Sequence, residues 1–199
     1  MKPTCPEWHN FLESIWGDNT VSKCQLQEFV GYCLTDSIHY KKGAVFTGDS
    51  FAAREILSDV MKRVVGFDKC ETLISTNIVK DSVLASLSER QLAIVYKTNY
   101  DLAPTEKFII ERMIEGASIN FHELYRGNRS MKFLTKVALF ADRNVLKASD
   151  VLHFDVTKTF SDGEHAAITE RLLKEMPGIV QWANFGLERL ERNGGVFTK

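Results

Sequence analysis

The stretch Gly43-Ala44-Val45-Phe46-Thr47-Gly48-Asp49-Ser50-Phe51-Ala52-Ala53-Arg54-Glu55 decides the fold. Four residues, Ala44 to Thr47, form a short apolar run closed by Gly48. A helical pattern follows, with Ile56, Leu57, Val60, Met61 and Val64 on one face and an end near Gly66. A strand, a tight glycine turn and a helix open an α/β domain.

Downstream, short apolar runs recur at Thr72–Val79, Leu92–Tyr96 and Val137–Ala141. Helical patterns at Val83–Leu87 and Glu106–Ile114 separate them, which predicts a mostly parallel sheet. Between Ser118 and Phe133, polar and apolar residues alternate around Gly127-Asn128, the pattern of a β-hairpin.

Upstream, Thr4 can cap a helix with Pro6 in its first turn and Trp8, Phe11, Leu12, Ile15 and Trp16 at helical spacing. Gly17-Asp18-Asn19 breaks it. Thr20 or Ser22 starts a second helix bearing Leu26, Phe29, Val30, Cys33 and Leu34, so residues 1–38 read as a helical hairpin. At the other end, Ser161 or Asp162 caps a helix through Lys174. Pro177 starts another, with Ile179, Val180, Trp182, Ala183, Leu187 and Leu190 on its apolar side and Gly194-Gly195 at its end. There is no internal repeat or low-complexity stretch.

Composition narrows the partners. The 199 residues carry 25 basic and 26 acidic side chains, a net charge of -1. Any nucleic-acid contact therefore has to come from a local basic patch. The four cysteines, Cys5, Cys24, Cys33 and Cys70, form no CxxC pair, and the five histidines form no metal-binding spacing. Reduced thiols and no metal are expected. No apolar run approaches the ~20 residues that span a bilayer, and the first residues do not read as a signal peptide. The expectation is a cytoplasmic protein without membrane contact.

Three blocks carry a family resemblance. The first is Leu26-Gln27-Glu28-Phe29-Val30-Gly31-Tyr32-Cys33-Leu34-Thr35, behind the tryptophan-bearing helix. The second is the strand-turn-helix at 43–66. The third is Met176-Pro177-Gly178-Ile179-Val180-Gln181-Trp182-Ala183-Asn184-Phe185-Gly186-Leu187-Glu188-Arg189-Leu190, followed by Gly195 and Phe197. In order and spacing these resemble the helicase domain of phage and plasmid primase-helicases, a superfamily 3, AAA+-like group. The outer blocks are similar to the helix before that family's phosphate loop and to its closing helix. The resemblance covers nearly the whole chain. It implies an α/β fold with a P-loop (AAA+-like) core at 41–157, an N-terminal helical segment at 1–40 and a C-terminal one at 158–199.

The family's ATP chemistry is not matched. A phosphate loop reads GxxxxGK[ST]: glycines let backbone N–H groups wrap the phosphates, lysine reaches the outer phosphates and the hydroxyl holds magnesium. Gly48 keeps the first glycine. Ala53 replaces the second, Arg54 the lysine and Glu55 the hydroxyl residue. Arginine is wider and forked, and Glu55, with Asp49, brings carboxylates toward phosphate. Two like charges ~5 Å apart at an effective dielectric near 20 oppose each other by about 3 kcal/mol. At the end of the Leu92–Tyr96 strand, Lys97 stands where the family has a metal-holding glutamate, and Asp101 is the nearest carboxylate. Asn144 is the candidate sensor asparagine. The segment Ala148–Phe154 lacks the family's arginines, and Arg143 is a poor positional substitute.

The hairpin is the part the resemblance ties to DNA. Tyr125, Arg126, Arg129, Lys132 and Lys136 combine basic and aromatic side chains suited to phosphate contact and base stacking; taken alone they also suit an ordinary solvated hairpin. The expectation is a replication-associated pseudo-ATPase that needs no cofactor. It would bind DNA, single-stranded or at an origin, or a related helicase or replication partner, and would retain a surface for homo-oligomers. The alternative is a divergent but active ATP-dependent helicase using ATP and magnesium.

Overall fold

The computed structural model describes residues 3–48, 50–97, 101–123, 125–146 and 150–199. Asp49 and Ala148 lie outside them. Contacts divide the chain into two compact units. One, here the helical unit, comprises the chain up to Leu34, Gly48–Val65 and Phe154–Lys199. The other, the sheet unit, comprises Thr35–Thr47 and Gly66–His153.

The helical unit holds five helices: α1 (Pro6–Trp16), α2 (Thr20–Cys33), α3 (Phe51–Val65), α6 (Asp162–Lys174) and α7 (Met176–Arg192). In α1 the expected apolar stripe is real: Trp8, Phe11, Leu12 and Ile15 are buried. Its cap is not Thr4. The Glu175 carboxylate, from the junction of α6 and α7, accepts hydrogen bonds from the Glu7 and Trp8 amides at 3.0 and 3.1 Å. A carboxylate at a helix N-terminus also complements the helix dipole. At α2, Asn19 accepts from the Ser22 amide. At α6, Ser161, one of the two expected caps, forms a reciprocal capping box with Glu164.

Two glycines set how α2 meets α7. A Cβ on Gly31 would lie 2.4 Å from the Ala183 carbonyl oxygen, and one on Gly186 would lie 2.2 Å from that of Gln27. The backbones therefore approach with no side chain between them. Next to this crossing, Glu28 is fully buried. Its carboxylate accepts from Arg189 Nε at 2.7 Å, from the Thr198 amide at 2.8 Å and from the Thr198 hydroxyl at 2.6 Å. The principal partner of α2 is thus α7, rather than α1 as the expected hairpin of residues 1–38 would have it.

The sheet unit contains β1 (Gly43–Thr47), β2 (Cys70–Ile74), α4 (Asp81–Leu87), β3 (Leu92–Lys97), α5 (Pro104–Glu115), β4 (Ser118–Glu123), β5 (Gly127–Lys132) and β6 (Lys136–Ala141); β7 (Val151–Asp155) begins in it. The five-stranded sheet has the order β2-β3-β6-β1-β7. The pairs β2–β3, β3–β6 and β1–β6 are parallel, with Val95 and Val45 both registered on Leu139. This is the α/β class with a mostly parallel sheet expected from the alternating runs. Every residue of β6 is buried, as a central strand requires. Val95, Val137 and Leu139 pack with Ile110 and Met113 of α5 in one cluster.

Two element predictions shift. The run Thr72–Val79 is a strand only over Cys70–Ile74; a short 3-10 turn, Ser75–Asn77, ends it through the Ile78 amide bonding to the Ser75 carbonyl. β7 has no apolar run to announce it, because His153 and Asp155 interrupt its buried residues. Among the described residues, no helix is long and apolar enough to cross a membrane.

Candidate functional site

Gly48, Ala53, Arg54 and Glu55, the positions where a nucleotide loop was expected, belong to the helical unit. Gly48 adopts φ +127, and a Cβ there would meet the Val156 carbonyl oxygen at 2.2 Å. Its conformation and its close neighbour both require glycine, so a packing reason suffices for its presence.

Ser50 closes the start of α3. Its hydroxyl, nearly fully buried, accepts a hydrogen bond from the Ala53 amide at 3.2 Å. Its carbonyl accepts from the Arg54 amide at 3.2 Å and from Arg54 Nε at 3.3 Å. Arg54 is 7% exposed and Ala53 is fully buried. One amide of the helix start is therefore taken from within: a serine cap uses the Ala53 amide, at the position expected for the second glycine, and the cationic side chain folds back onto the capping residue. Glu55 is exposed and faces α6, where its carboxylate lies 3.4 Å from His165 Nε2.

Lys97 and Asn144 belong to the sheet unit. Lys97 ends β3 with its Nζ 3.4 Å from the Glu106 carboxylate, and both side chains are largely buried. Glu106 also accepts from the Ala103 amide at 3.3 Å, capping α5. Asp101 and Arg143 pair at 3.2 Å on the surface. Asn144 is exposed, and its side-chain oxygen accepts from the Leu146 amide at 3.1 Å in a local turn. The charged groups at this strand end are therefore paired with one another. Among the described residues, no three His, Cys, Asp or Glu side chains group as a metal site.

The hairpin forms as expected, but its turn precedes Gly127-Asn128. β4 and β5 pair from Ser118↔Lys132 to Glu123↔Gly127. Tyr125 stands in the connection, 96% exposed, with a left-handed φ of +66. An exposed aromatic in that conformation costs of order 1 kcal/mol or more. Arg126 beside it is exposed.

The other basic residues diverge. Lys132 pairs with Ser118 on the face shared with Asn120 and His122, whereas Arg129 is registered on Phe121, on the face whose Ile119 and Phe121 are buried. Lys136 does not join them. It is fully buried at the start of β6, and its ammonium donates to the Thr35 carbonyl. In this structure it presents nothing to a phosphate, which corrects its grouping with the hairpin.

Serine at the cap, His165 opposite Glu55 and Glu106 beneath Lys97 were not foreseen. The first had a local signal, a serine three residues ahead of the Ala53 amide. The other two depend on which helix packs where.

No known protein family and no curated protein matches the chain in sequence. Solved structures do match. A crystal form of the C-terminal region of NrS-1 superposes with a TM-score of 0.70 at 10% identity, over 92% of this chain and 46% of that one. Another structure of that region gives 0.67 at 11% identity, over 100% and 53%. JCV helicase gives 0.45 at 13% identity, over 94% and 66%. The chain shares its fold with the NrS-1 region and spans about half the length of those structures.

Proposed function

We propose that this protein is a replication-associated, helicase-like pseudo-ATPase that binds DNA, or a helicase or other replication partner, without hydrolysing ATP. The replication context comes from the family resemblance of the three blocks, and the α/β fold shared with the NrS-1 region supports the arrangement on which that resemblance relies.

The observation that carries the loss of ATP chemistry is the start of α3. A phosphate loop works by leaving amides open and a lysine extended. Here Ser50 takes the Ala53 amide, and Arg54 is buried against the Ser50 carbonyl. Lys97 is paired with Glu106 in place of a magnesium-holding carboxylate. These residues do not fit magnesium-ATP, and no hydrolytic step is assigned.

DNA contact is assigned to the hairpin connection, through Tyr125 and Arg126, with Lys132 on the outer face and Arg129 half-buried. A chain with this scaffold and no ATP chemistry can act as a regulator or inhibitor, joining a working helicase ring and stalling it.

Calorimetric titration with magnesium-ATP tests the central point. No binding heat is expected at micromolar nucleotide. Clear micromolar binding, with DNA-stimulated phosphate release that Arg54→Ala abolishes, would establish the active-ATPase alternative instead. Binding to neither single-stranded DNA in an anisotropy titration nor a related helicase in a pull-down would sink the replication role.

A further inference from the structure

Within the sheet unit, α4, α5 and the start of β4 line an open-sided cavity of about 510 Å³. Leu84 and Ile109 on its lining are buried. Its edge is different. Phe108 stands 55% exposed on α5, with the Arg112 guanidinium 5.4 Å from its ring centroid. Arg112 is held in place, since Nε and Nη2 both donate to the Ser118 carbonyl at 2.8 and 2.6 Å. Ring and guanidinium thus form a pre-set cation–aromatic pair at the cavity's edge, and the cavity is large enough for one small planar ligand.

The charges choose the ligand. Asp81 lines the same cavity, so a phosphate entering it would meet a carboxylate. Arg112 already commits two of its N–H groups to a backbone carbonyl. A neutral planar ring with polar edges has no such conflict. It can stack on Phe108 and Arg112, while the Asn120 amide offers a donor and an acceptor to its edge. Asn120 also places the cavity on the strand leading to the hairpin connection, ~10 Å along β4 from Glu123 at 3.4 Å per residue. A duplex keeps its bases stacked inside; a single strand can turn one out.

We infer that this cavity takes one base of a single-stranded DNA whose backbone is held at Tyr125 and Arg126, an inference resting on the DNA-binding role proposed above. The test is fluorescence anisotropy with labelled dT 20-mer, an abasic 20-mer and a 20-base-pair duplex. Wild-type protein should prefer the dT 20-mer over the abasic strand. Phe108→Ala should weaken dT binding about tenfold and bind the two strands alike, with duplex binding unchanged. Phe108→Trp should keep the preference.

Thermal melting followed by circular dichroism checks that the variants fold. Should Phe108→Ala unfold, wild-type protein that binds dT and abasic strands equally overturns the inference by itself. If Arg126→Glu weakens dT binding while Phe108→Ala matches wild type, the cavity is refuted and the hairpin role stands. If wild type binds no DNA, both fail.

Discussion

The Ser50 hydroxyl accepts a hydrogen bond from the Ala53 amide at 3.2 Å, at the position where a phosphate loop presents that amide to nucleotide. The contact makes the start of α3 an ordinary capped helix. Ser50→Ala is therefore expected to act on stability and not on ligand binding. Loss of a serine cap costs about 1 kcal/mol. Urea denaturation should show that loss, with no magnesium-ATP binding gained in calorimetry. A variant that gained micromolar ATP affinity would mean the cap was masking a working loop.

The α2–α7 crossing gives a sharper stability prediction. A methyl on Gly186 would sit 2.2 Å from the Gln27 carbonyl oxygen, and one on Gly31 2.4 Å from that of Ala183. The obstacle in both cases is helix backbone, which cannot swing aside. Gly186→Ala and Gly31→Ala should each destabilise by about 3 kcal/mol, the upper part of the range for overpacking. The midpoint of urea unfolding reads this out. A loss under about 0.5 kcal/mol would show that the helices can separate freely.

Those two glycines also mark what the sequence made legible. Gly31 and Gly186 lie in two of the family-like blocks, and in this chain each glycine admits the other helix. The apolar runs gave four of the sheet strands because a buried parallel strand is continuously hydrophobic. β7 escaped because polar His153 and Asp155 break that signal. At the site, identities were readable and partnerships were not. Ala53, Arg54 and Lys97 carried the expectation of missing ATP chemistry. That Lys97 meets Glu106, or that Lys136 turns inward to Thr35, depends on packing over nine and 101 residues of chain separation. Its place just after the hairpin grouped Lys136 with the hairpin basics, and only its burial removes it.

Cys5 carries a pH prediction. Burial, and secondarily the Glu175 carboxylate, push its thiol up to about 11. An unfolded thiol ionises near 8.5, so above that pH the unfolded chain releases a proton that the folded chain keeps. Stability from this group is present below the unfolded value and is lost as pH rises toward 11, at a slope approaching 1.4 kcal/mol per pH unit. Urea denaturation from pH 8 to 11 should show this decline, and Cys5→Ala should flatten it. At pH 8 a thiol reagent should label Cys24 and Cys70, both half-buried, before Cys5. Early labelling of Cys5 would contradict its enclosure.

The ion pair at the end of β3 leads to the least intuitive expectation. Lys97→Glu would restore the acidic residue that the resembled family carries. It would also place a second carboxylate beside Glu106, where the present Nζ-to-carboxylate distance is 3.4 Å and both side chains are largely buried. The variant loses an attraction and gains a repulsion in a poorly solvated place, together on the order of 4 kcal/mol. It should unfold more easily and hydrolyse no ATP, since Arg54 stays buried. The exchange Lys97→Glu with Glu106→Lys should recover much of the stability, although the Ala103 amide then loses its acceptor. If Lys97→Glu alone proves as stable as the parent, the pair is not what fixes this strand end. If it hydrolyses ATP, the buried Arg54 and the capped start of α3 are not what keeps the parent chain from nucleotide chemistry, and the argument drawn from them is wrong.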